Sequence, residues 1–110
     1  MNKITILGHT FEINFNMAVE VEYEELSGQP FDIEKMNTQK ATMQLCYAAL
    51  KVADNKIPFT FDEFIKKISF RETAELKDAV IQTMNEWLFI PAVMAEGEQQ
   101  QTDGDEQKNA

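Results

Sequence analysis

The reactive side chains of this chain of 110 residues are few: one histidine, His9, and one cysteine, Cys46, in segments of different character. Nucleophilic or acid–base catalysis requires a reactive group beside a second group that tunes it. His9 lies in Gly8-His9-Thr10, which reads as a short glycine-containing turn where an imidazole is an exposed polar side chain. Cys46 lies in LCYAALKVA, an apolar helical setting in which a free thiol behaves as a small hydrophobe and no neighbour in sequence would lower its pKa. A single cysteine also excludes an intramolecular disulfide.

Carboxylates are the more abundant reactive type. Glu20, Glu24 and Glu25 could offer oxygen ligands to a hard cation, and Asp103-Gly104-Asp105-Glu106 resembles a fragment of a calcium loop. Such a loop needs roughly twelve residues with ligands at fixed offsets, which the residues after Asp103 do not complete. The E-x-x-H spacing of carboxylate-bridged metal bundles is missing, and the four glycines are too isolated to cradle a phosphate. The sequence therefore predicts no catalytic, cofactor-binding or metal-binding residues and a protein that is not an enzyme.

The elements that carry these groups follow from the apolar pattern. Ile4–Leu7 and Phe11–Phe15 flank the Gly8-His9-Thr10 turn and predict an N-terminal β-hairpin over residues 3–15. Every odd-numbered position from Phe11 to Tyr23 is apolar, a run about twice the usual strand length of roughly 5 to 6 residues. Asn16 can cap a helix, and Ser27-Gly28 can stop one, so the run divides into a strand to Phe15 and a helix over 17–27. On that helix Ala18, Val19, Tyr23 and Leu26 form the expected core face, while Met17 and Val21 fall nearly opposite, among Glu20, Glu24 and Glu25. Two readings of Met17 and Val21 stand: burial against a second neighbour, or an exposed apolar spot rimmed by acids that meets a partner. Glu22 falls within the core face and must find a donor or lie at its edge.

A single helical turn is expected near Asp32–Met36, then a central, almost uniformly apolar helix over 38–53. Thr60 and Glu63 form a capping box, with Phe59 placed to staple against Phe64, and open a short helix over 61–68. Ser69 and Glu72 repeat the box and open a last helix over 71–89, with Leu76, Val80, Ile81, Met84, Trp87 and Leu88 as its expected core stripe and Pro91 as its expected stop. Residues 96–110 carry no large apolar side chain and read as a disordered acidic tail, either solubilising or an electrostatic lure for a basic partner. The expected class is α+β and mostly helical: a hairpin packed on a bundle of about four helices, one domain over 1–95.

The formal net charge of −9 argues against a nucleic-acid partner, whose phosphates require clustered Lys and Arg. No stretch approaches the roughly 20 apolar residues of a membrane span, and MNKITILGHTF is too soon polar for a secretory signal, so a cytoplasmic location without membrane contact is expected.

The order KITILGHTFEINFN, an acidic helix ending EELSG, LCYAALKVAD, then TFDEFIKKI and a final helix resembles the tail assembly chaperones of long-tailed bacteriophages and prophages. The resemblance spans about Lys3 to Leu88. It implies a non-enzymatic factor in the cytoplasm of a bacterial host that binds and solubilises the tape measure protein, helps to recruit tail tube subunits, and leaves before the particle is finished. It carries no catalytic residues and no cofactor, and it leaves self-association open. Met17, Val21 and Glu24 form the expected contact patch, with Trp87 and Phe89 as a second. The alternatives are a head–tail or tail component retained in the virion, a small acidic adaptor, and an acidic mimic of nucleic acid.

Overall fold

The computed structural model describes the backbone of residues 3–96 and the side chains of residues 3–88. Strand β1, Lys3–Ile6, pairs antiparallel with β2, His9–Glu12, in a register that sets Lys3 opposite Glu12 and Ile6 opposite His9. The connection is therefore the two residues Leu7-Gly8, at φ of 50° and 84°. Positive φ at both positions is what a two-residue hairpin loop of the primed type requires, because its twist matches that of the strands. The turn thus lies one residue earlier than predicted, and His9 belongs to β2.

Strand β2 ends at Glu12, short of the predicted Phe15, at the Lys3–Glu12 pair of the ladder. Alternation nevertheless persists off the ladder: Ile13 and Phe15 are buried while Asn14 is exposed. Burial on one side thus alternates through Phe15 with no partner strand among the described residues.

Helix α1, Met17–Ser27, starts and stops where its local chemistry places it. Asn16 Oδ1 accepts from the Ala18 N–H at 3.0 Å, and Gly28 closes the other end at φ 72° with its N–H donating to the Glu24 carbonyl. Val19 and Tyr23 are buried and Leu26 half-buried, but Ala18, in the first turn, is exposed. Glu22 finds its donor in Lys51, at 3.3 Å. A 3₁₀ turn, Ile33–Lys35, is capped by Asp32.

Helix α2, Gln39–Ala53, is the central element: Met43 and the unbroken run Leu45–Leu50 are buried, and its main packing partner is α1. Helix α3, Phe61–Lys67, opens with both bonds of the Thr60–Glu63 capping box. Its staple is present too, with the Phe59 and Phe64 rings stacked at 6.2 Å and 11°. Tyr47 from α2 packs against both rings and donates its hydroxyl to the Phe59 carbonyl at 2.7 Å, so the wide end of the core is aromatic and its polar atom is satisfied.

Helix α4, Phe70–Glu96, opens with the second capping box, in which Glu72 Oε1 accepts from the Ser69 N–H and Ser69 Oγ accepts from the Glu72 N–H. The other oxygen of Glu72, Oε2, accepts from the Leu7 N–H at 2.8 Å. One carboxylate thus caps a helix and holds the hairpin turn whose Leu7 lies in the left-handed region. Leu76, Val80 and Met84 of the predicted stripe are buried and Leu88 is half-buried, and Ala79 joins them in the core, but Ile81 and Trp87 are exposed.

The predicted end of this helix at 89 is also revised: α4 runs through Pro91 to Glu96. Proline removes the N–H that would bond the Trp87 carbonyl, and the helix continues past this one missing bond. Helix formers continue to Glu96, and no glycine intervenes before Gly97. Beyond Glu96 the acidic tail lies outside the described residues. The buried side chains of both strands' segment and of α1, α2, α3 and α4 form one cluster.

Candidate functional site

The reactive groups are set apart by the fold. His9 stands exposed on β2 with its ring 6.2 Å from that of Phe59, while Cys46 is buried within α2. Burial pushes the Cys46 thiol up to about 12, and the charge of Lys77, a neighbour that sequence distance concealed, lowers it only in part. A thiol so placed is inert as a nucleophile. Among the described residues, no group of three or more His, Cys, Asp or Glu is placed to hold a metal ion.

A cleft of about 480 Å³ lies between the end of α1 and the start of α2, lined in part by Tyr23, Phe31, Asp32, Lys35 and Lys40. Its carboxylate, Asp32, is engaged in capping the 3₁₀ turn through the Glu34 N–H. No nucleophile and base converge in it, so it offers no evident covalent chemistry.

The outer face of α1 has a different character. Met17 is 54% exposed and Val21 48%, one helical turn apart on the side away from Val19 and Tyr23. Of the two readings of these residues, burial against a second neighbour is therefore corrected: they face solvent. Trp87, 38% exposed on α4, donates its indole N–H to Glu20 Oε2 at 3.0 Å. Glu20 lies on the same face of α1, between Met17 and Glu24. A hydrogen bond thus links Glu20, beside the patch read on the first helix, to Trp87 of the patch read on the last.

Glu24, the third residue expected in the patch, is exposed but not idle: its Oε2 accepts from the Phe31 N–H at 2.8 Å and ties the loop after Gly28 back to α1. The Phe89 side chain, also expected in the patch, lies outside the described residues. Glu20 is the residue whose role the sequence concealed. Its partner is 67 positions away, so no local pattern points to it.

The charge of the surface is one-sided. Helix α1 contains Glu20, Glu22, Glu24 and Glu25 and no Lys or Arg. Glu22 is matched by Lys51, whereas among the described residues Glu20, Glu24 and Glu25 have no cation within ion-pair distance. A second exposed apolar site, Phe70 at 90% with Ile65 at 44%, lies where α3 meets α4; there Lys66 and Arg71 are already paired with Asp62 and Glu75. The capping box at Ser69 fixes the start of α4 and leaves Phe70 outside the core.

No protein-family model, curated protein or solved structure matches this chain.

Proposed function

We propose that this protein is a non-enzymatic tail assembly chaperone of a long-tailed phage or prophage, which binds the tape measure protein in the host cytoplasm and keeps it soluble while tail tube subunits are recruited. The observation that carries the reading is the solvent-facing apolar side chains of Met17, Val21 and Trp87, linked across the two helices by the Glu20–Trp87 hydrogen bond and bordered by carboxylates that have no ion-pair partner among the described residues. Apolar side chains exposed on a helix give a client with apolar segments something to cover. The formal net charge of −9 keeps a complex with such a client dispersed. The order of sequence motifs adds the family, and no enzymatic constellation among the described residues competes with a binding role.

The reading is tested by co-expression with a tape measure protein from the same phage or prophage. A chaperone raises the soluble yield of that client and is depleted from purified virions by mass spectrometry. Unchanged client solubility, with the protein present in virions in stoichiometric amount, would assign it instead to the structural parts of the particle.

A further inference from the structure

We infer that the Met17–Val21–Trp87 surface takes one kind of partner segment: an amphipathic helix whose apolar stripe is flanked by Lys or Arg. This inference rests on the binding role proposed above and specifies the chemistry of what is bound.

The argument for a helix begins with the backbone. The surface is built from two helices, α1 and α4, whose peptide groups are engaged within each helix, so it has no row of free N–H and C=O groups to pair with an extended chain. A segment docking there must satisfy its own backbone, and a helix does so. The spacing agrees. Met17 and Val21 are one turn apart, about 6 Å along the axis, and a facing helix presents apolar side chains at i and i+4 with the same repeat.

The argument for basic flanks is one of charge. Glu20, Glu24 and Glu25 border the apolar residues without a cation partner among the described residues, and α1 supplies no basic residue of its own. An apolar segment flanked by acids would bring like charges together, one flanked by Lys or Arg would complete three exposed pairs. Glu20 already accepts the indole N–H of Trp87 through Oε2, which fixes the ring at the edge of the patch.

Trp87 is the only tryptophan of the chain, so its fluorescence reports on this surface directly. The experiment titrates the full-length protein with three synthetic peptides of about four helical turns. The first has a leucine stripe at helical spacing with lysine flanks, the second the same stripe with glutamate flanks, and the third the lysine peptide with its order scrambled. The expected result is a blue shift of Trp87 emission with the first peptide, binding about tenfold or more tighter than with the second, and weakening as salt is raised. The scrambled peptide binds weakly, and Val21→Asp removes binding of the first while the far-UV circular dichroism of the protein is retained.

Equal affinity for the lysine and glutamate peptides, or for the ordered and scrambled lysine peptides, would overturn the inference. So would undiminished binding by Val21→Asp. The chaperone reading has a separate readout: rescue of the tape measure protein without a preference for basic flanks sinks the inference alone, and preference for the first peptide without rescue sinks the chaperone reading alone.

Discussion

Glu72 does two jobs with one carboxylate, and its charge state decides both. Oε1 accepts from Ser69 and Oε2 from Leu7, and these backbone N–H groups hold the carboxyl below its ordinary value of about 4.3. A depressed carboxyl contributes stability above its unfolded pKa, and that contribution is lost as the pH falls through the folded value. Glu72→Gln keeps an oxygen for Ser69 but turns an amide NH₂ toward the Leu7 N–H, where no acceptor remains. The variant is expected to lose about 1 kcal/mol at pH 7, and its melting temperature to fall less than the native protein's as pH drops from 7 toward 3. Thermal unfolding across that pH range checks both statements; parallel curves would show that the carboxylate is not responsible.

At the scale of elements, helix boundaries were legible where a single side chain or glycine sets them. Asn16, Thr60 and Ser69 each accept a backbone N–H in the first turn of the helix they open, and Thr38, read as the first residue of its helix, proves to be its cap. Gly28 is the sharpest stop: its φ of 72° is left-handed, and no atom lies within 4 Å of where a Cβ would stand. Gly28→Ala therefore meets no clash, and its cost is that of the backbone alone. The expected loss is about 1 kcal/mol in urea unfolding, with Gly28→Asn costing less because asparagine tolerates that region. Equal stability of the alanine variant would mean that α1 can end otherwise.

The boundaries that were misread depend on distant partners. Alternation through Phe15 reported burial, which continues, but strand pairing depends on β1, which contributes four residues. Pro91 is a local stop signal that α4 overrides. The exposed stripe positions Ile81 and Trp87 share the helical period of the core, and only the packing of other elements distinguishes them from Val80 and Met84. The candidate surface followed the same rule. Met17 and Val21 were visible as an apolar pair among acids on α1, whereas their connection to Trp87 through Glu20 spans 67 residues and leaves no local trace.

At the scale of the whole molecule, one core built from one face of the hairpin segment and four helices leaves its reactive groups isolated and an acid-bordered apolar surface exposed. The account's central claim is that this surface binds a client and is not part of the core. Val21, 48% exposed, separates the two roles, because removing it from solvent-facing packing changes little else. The decisive measurement is the soluble yield of the tape measure protein co-expressed with Val21→Asp or with the native chain, alongside the melting temperature of each purified protein. The account predicts a large loss of soluble client with a stability change within roughly 0.5 kcal/mol. Undiminished client solubility, or an unfolded variant, would contradict it.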